Sequence, residues 1–95
     1  MDEKSREHLI SNMIDNLPTL RKKLNLSQEN FSSLVGIGRR TFAAIENRKR
    51  PLSWNMFLSF LLVFITNPES EKLLKVMGIY SDELQDEMLK LRNRQ

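Results

Sequence analysis

The chain has 95 residues, no cysteine and a formal net charge of +3, which limits it to one compact domain and leaves it no disulfide or thiolate metal site. We therefore expect a single domain over residues 1–95, located in the cytoplasm. Residues 18–50 hold eight basic and two acidic residues, whereas the segments on either side carry small acidic excesses. A basic middle third is expected of a module that contacts a polyanion, and a merely solvated basic face is the alternative.

Apolar residues recur at helical spacing throughout the chain, and no stretch alternates like a strand. The sequence therefore predicts an all-α, compact bundle of about five helices. The first strong helix is predicted from about Asn16 to Leu24, with Pro18 in its first turn and the preceding residues forming an extra turn or fraying. Further helices are predicted over 28–35, 39–47, 54–66, 68 to the stop at Gly78, and 82–92, with Ser27, Ser53 and Ser81 as caps.

The stretch from Gln28 through Gly36 to Asn47 has the spacing of two short helices joined by a tight turn, which is typical of a helix-turn-helix. Gly36 supplies the positive φ that a sharp turn needs, and Ser32 is small where the two helices must approach closely. The interior positions of the unit are all apolar: Phe31, Val35, Ile37, Phe42 and Ile45.

A helical wheel places Phe42 and Ile45 on the buried face of the third helix. The opposite face carries Arg40, Ala43, Ala44 and Asn47, flanked by Arg39 and Thr41. Small side chains at its centre would let the backbone enter the major groove of B-DNA, while the long polar residues reach bases or phosphates. The alternative is that Ala43 and Ala44 are simply good helix formers.

The stretches "LRKKLNLSQENF", "VGIG" and "TFAAIENRKRPLSWNMFL" make residues 17–65 resemble the XRE family of phage-repressor and Cro-like helix-turn-helix regulators. The resemblance implies that Gln28 contacts a phosphate and that the loop after the third helix holds the DNA backbone through Arg48, Lys49 and Asn47. It also implies that bases are read by Arg39, Arg40, Thr41 and Ala44.

The resemblance further implies a pair between Arg21 and Glu46. A pair also makes physical sense, because Glu46 lies beside the buried face, where a lone carboxylate would be costly. Two residues depart from the family pattern. Gly38 stands where a serine or threonine cap is usual, and Arg48 replaces the common glycine after the third helix.

The segment "WNMFLSFLLVFI" is the most apolar stretch, but its 12 residues fall short of the roughly 20 that cross a bilayer. Because only a thin polar stripe interrupts it, it must be covered on several sides. A second subunit would cover it more easily than one chain, so we expect a homodimer, with Leu84, Met88 and Leu91 as a nearby apolar seam. The helices over 68–94 would form this packing extension of the core motif at 17–66, and Trp54 is expected in core or interface.

No catalytic, metal-binding or phosphate-cradling motif is visible, and the one histidine, His8, falls in a polar segment expected to be mobile. The sequence thus favours a non-enzyme without a cofactor that binds double-stranded DNA and regulates transcription, with no membrane partner. A second hypothesis is an antitoxin-like protein that holds a partner protein while DNA binding serves autoregulation. RNA binding is a weaker third hypothesis, because the few aromatics provide no exposed stacking platform.

Overall fold

The computed structural model describes residues 1–92, so residues 93–95 of the predicted domain, including the end of the 68–94 extension, lie outside the described residues. Over 1–92 the chain forms six helices and no strand, which confirms the all-α class. One helix lies in each of the six predicted spans, although the expected total was about five. The helices are α1 (Glu3–Lys23), α2 (Gln28–Val35), α3 (Arg39–Glu46), α4 (Trp54–Ile65), α5 (Pro68–Val76) and α6 (Asp82–Arg92).

The largest correction concerns α1, which begins at Glu3 rather than near Asn16. Asp2 caps it by accepting a hydrogen bond from the backbone N–H of Ser5 at 2.8 Å. Pro18 therefore lies in the helix interior, where it removes one backbone donor, and not in the first turn. His8 accordingly lies on a helix rather than in an unstructured segment. The helix is held by one buried stripe: Leu9, Met13, Leu17 and Leu20.

The other helices begin where the capping residues predict. Ser27 accepts a hydrogen bond from the N–H of Asn30 at 3.0 Å, and Ser53 accepts one from Met56 at 3.1 Å. Ser81 does the same for Leu84. Two of these helices end one residue earlier than predicted: α3 ends at Glu46 rather than at Asn47, and α4 ends at Ile65 rather than at Thr66.

Helix α4 is the centre of the bundle, and α1, α2 and α5 pack around it. Its exposed stripe consists of Asn55, Ser59, Leu62 and Thr66. The opposite side is buried, so one chain covers most of this apolar helix and a second subunit is not required for that purpose. The fully buried side chains of α4 are Phe57, Phe60, Leu61 and Phe64.

Four phenylalanine rings join α2, α3 and α4 in the core. The ring of Phe31 lies 4.9 Å from that of Phe42, 5.1 Å from that of Phe60 and 5.2 Å from that of Phe64, measured between centroids. Phe42 also meets Phe60 edge-on at 5.7 Å. Such pairs contribute about 0.5–1.5 kcal/mol each beyond area burial. The cluster fixes how α3 sits on the rest of the domain.

Candidate nucleic-acid interface

Helices α2 and α3 are joined by a tight turn at Gly36. Its φ is 76°, in the left-handed region, and the N–H of Ile37 returns to the carbonyl of Ser32 at 3.0 Å. The hydroxyl of Ser32 is turned back to the carbonyl of Glu29, so this small side chain is buried with its polar atom satisfied. Gly38 then starts α3 in an extended conformation, without a side chain to cap it.

The orientation of α3 agrees with the helical wheel. Phe42 and Ile45 are buried, whereas Arg39, Arg40 and Asn47 are exposed. The side chains between these two faces are half-buried, and they are Thr41, Ala43 and Ala44. The two alanines therefore flank the exposed face rather than forming its fully open centre.

The loop after α3 folds back over the end of that helix. The N–H groups of Lys49 and Arg50 both donate to the carbonyl of Ala44, at 2.8 and 3.2 Å, and the N–H of Arg48 donates to Ile45 at 3.1 Å. Arg48 has a φ of 62°, the left-handed conformation that glycine adopts at this position of many helix ends. The chain thus follows the usual glycine path with an arginine in place of the glycine.

Five cations flank α3, two in its first turn and three in the loop after it, and we call them the basic cluster: Arg39, Arg40, Arg48, Lys49 and Arg50. All five are exposed. Within residues 1–92, four of them form no salt bridge, and the exception is Arg48, whose guanidinium pairs with the carboxylate of Asp15 on α1. A group of unneutralised exposed cations attracts polyanions.

Arg21 and Glu46 form the expected pair across α1 and α3. The Nε of Arg21 donates to Oε2 of Glu46 at 2.9 Å, its Nη2 donates to Oε1 at 3.2 Å, and its Nη1 donates to the carbonyl of Leu26. The side chains are only 11% and 6% exposed. The pair is structural, because neither charge faces outward.

Gln28, for which the resemblance implies a phosphate contact, joins the same network. Its Nε2 donates to Oε1 of Glu46 at 2.9 Å. The amide carries two N–H groups, so one is used in this bond and a second remains for another acceptor. Gln28 is half-buried at the first position of α2, where its amide is oriented by Glu46.

Two groups near the interface are absent from the expected contacts. Asp15 contacts the loop from a position 33 residues earlier in the chain, and Arg50 is exposed next to Lys49 although the resemblance names only Arg48, Lys49 and Asn47 in this loop. The run of three cations at residues 48–50 is a signal for Arg50. No local pattern points to Asp15.

The apolar seam of α6 is only partly covered. Leu84 is buried in the core, whereas Met88 and Leu91 are 36% and 63% exposed and line an open groove with Trp54 and Leu58 of α4. The Trp54 ring stacks on Phe57 at 4.8 Å, and the guanidinium of Arg6 lies 5.1 Å from its centroid. Trp54 therefore lies at the edge of the core.

Among residues 1–92 no three His, Asp or Glu side chains lie close enough together to hold a metal ion. Over the same range no helix has the length and apolar character needed to cross a membrane.

No protein-family model, curated protein or solved structure matches this chain.

Proposed function

We propose that the protein binds double-stranded DNA in a sequence-specific manner and regulates transcription, as a member of the XRE group of regulators. The observation that carries this proposal is the basic cluster, which surrounds the exposed face of α3 and has one acidic partner within residues 1–92. A helix with its side chains is about 10–12 Å in diameter, so the major groove of B-DNA, about 12 Å wide, accepts it.

The position of each residue on α3 or beside it suggests which part of the DNA it would contact. Arg39 and Arg40 occupy the first turn of α3, where an arginine can form two hydrogen bonds with guanine. The half-buried Thr41, Ala43 and Ala44 carry methyl groups beside the exposed face of α3, and such methyl groups can contact a thymine methyl. The phosphate contacts are assigned to the remaining polar groups, which are Gln28, Asn47, Arg48, Lys49 and Arg50. Of these, Arg48 is paired with Asp15 in the free protein.

We further propose that two copies bind together on a two-fold operator. The support is the open apolar groove between α4 and α6, together with Leu62, which is 63% exposed one turn after Leu58. Two recognition helices in successive major grooves would require half-sites about 34 Å apart.

The proposal is tested by selecting ligands from a random duplex library and footprinting the enriched sequence. We expect a palindromic site with protected major grooves one helical turn apart and an affinity that falls steeply with salt. A matched RNA duplex of the selected sequence serves as the control and should bind more weakly, because its deep, narrow major groove does not admit α3. Failure to enrich any sequence, or equal binding of the RNA duplex, would contradict the proposal.

A second candidate function is an antitoxin-like role, in which the groove between α4 and α6 holds a partner protein and DNA binding serves autoregulation. The exposure of Met88 and Leu91 supports it, because an apolar groove can receive a partner's helix as well as a second copy. Co-expression with the neighbouring gene product separates the two. A stoichiometric complex that is lost on substitution of Leu91 by glutamate favours this role, and a homodimer without partner favours the first.

A further inference from the structure

Asp15 and Arg48 form an ion pair that the proposed function does not use. The carboxylate of Asp15, on α1, accepts a hydrogen bond from Nη2 of Arg48, in the loop after α3. The side chains are 49% and 60% exposed. Within residues 1–92 this is the only salt bridge between an acidic side chain and the basic cluster.

The pair contributes little to holding the loop. The loop path is already set by backbone hydrogen bonds from Arg48 to Ile45 and from Lys49 to Ala44. Exposed ion pairs add little to stability, because water and salt screen both charges. The main effect of the ion pair is therefore to make the Arg48 guanidinium less available to other anions.

We infer that Asp15 occupies Arg48 in place of a DNA phosphate and thereby lowers the affinity of the interface for DNA. This inference rests on the proposed function. Carboxylate and phosphate oxygens accept the same charge-assisted hydrogen bonds from a guanidinium, so the two compete for Arg48. The remaining members of the basic cluster form no salt bridge within the described residues.

The exchange has two consequences for binding. First, when a phosphate replaces Asp15, the hydrogen bond that Arg48 gains with the phosphate is offset by the loss of the ion pair with Asp15. Second, the unpaired carboxylate of Asp15 then remains near the duplex, where it repels the phosphates. Removing the carboxylate should free Arg48 to bind its phosphate without that exchange.

The test measures affinity for the selected duplex, as a function of salt, for the full chain and for Asp15→Asn. We expect Asp15→Asn to bind about two- to fivefold more tightly at low salt, the range that corresponds to the loss of one exposed ion pair. Asp86→Asn is the matched control, since it changes the net charge equally on the exposed surface of α6, where its carboxylate has no ion-pair partner among the side chains of residues 1–91. It should change affinity less.

The second half of the test repeats Asp15→Asn in an Arg48→Gly chain. Glycine suits the left-handed φ at residue 48, so this chain should keep the loop path while it lacks the guanidinium. The increase in affinity from Asp15→Asn should then shrink to that of Asp86→Asn. An equal increase with and without Arg48, or no increase beyond the control, overturns the inference alone. Absence of DNA binding by the unmodified chain overturns the proposed function as well.

Discussion

The guanidinium of Arg21 and the carboxylate of Glu46 meet through two hydrogen bonds of 2.9 and 3.2 Å, joining α1 to the last residue of α3. The same carboxylate accepts the amide of Gln28 at the start of α2. One acidic side chain thus holds three helices in register. Its negative charge is also kept away from the basic cluster, because it is directed to Arg21.

Removing either member of this pair should strongly destabilise the fold. Arg21→Ala leaves the carboxylate of Glu46, which is 6% exposed, without its charge partner, and we expect a loss of about 3–5 kcal/mol in the free energy of unfolding. Urea denaturation followed by circular dichroism measures it. The exposed pair between Lys23 and Glu69 is the control, and Lys23→Ala should cost at most about 1 kcal/mol. Equal effects of the two substitutions would contradict a structural role.

The turn between α2 and α3 should favour glycine over serine at its first position, Gly36. An added Cβ at Gly36 meets no atom within 4 Å, so the cost of Gly36→Ser comes from the positive φ alone, about 1–2 kcal/mol. Gly38→Ser places the same side chain in an extended conformation that caps α3, and should stabilise by a few tenths of a kcal/mol. Thermal unfolding of both variants measures the difference. Similar melting temperatures would show that the backbone at residue 36 is not the constraint.

Arg40→Ala should relax sequence preference at a single base pair. Because an arginine pairing with guanine discriminates by about 1–3 kcal/mol, the variant should bind sites altered at that position nearly as well as the selected site. Competition binding with a panel of single-base variants of the selected duplex measures this. Unchanged discrimination at every position would exclude a base contact by Arg40.

Lys49→Ala provides the contrasting result. A phosphate contact carries no sequence information, so this variant should lose affinity for all duplexes alike and reduce the salt slope by about one. Salt titrations of specific and random duplexes report both quantities. A loss confined to the selected site would instead assign Lys49 to base recognition.

The first turn of α1 should loosen in acid because of Asp2. The backbone N–H of Ser5 is the main cause that lowers the pKa of the Asp2 carboxyl below its ordinary value of 3.8, with the Ser5 side chain adding to the effect. A lowered pKa means that the contribution of the cap is complete above pH 3.8 and is lost as pH falls through the folded-state value. The amide shift of Ser5, followed by NMR, should report this transition. Asp2→Asn should abolish it, since an amide caps without titrating.

Helices are predictable from the sequence where local chemistry decides the outcome. Ser27 and Ser53 cap their helices as expected, since an N-cap depends on the next three residues only. The predicted start of α1 is wrong because a proline such as Pro18 is more typical of a first turn than of a helix interior. Leu9 and Met13 extend the buried stripe of Leu17, and the α5 surface that covers α1 comes from residues far along the chain.

The contacts of the candidate site also fall into two groups, those that the sequence predicts and those that it does not. The Arg21 and Glu46 pair is predictable, because a carboxylate beside a buried face needs a cation and the resemblance supplies one. The contacts from Asp15 to Arg48 and from Gln28 to Glu46 depend on how a loop and two helix ends meet, over separations of 33 and 18 residues. No periodicity or capping signal encodes such distances.

The four phenylalanine rings in the core also limit how far α3 could move to fit different DNA sequences under the proposed function. Phe42 packs against phenylalanine rings from α2 and α4. Because the core is close-packed, α3 cannot rotate or slide without disrupting these contacts. A DNA duplex that binds α3 would therefore contact a helix that is held rigidly on the domain. Tolerance for differing operators would come from bending and twisting of the nucleic acid, and flexible base steps would be favoured even where no side chain touches them.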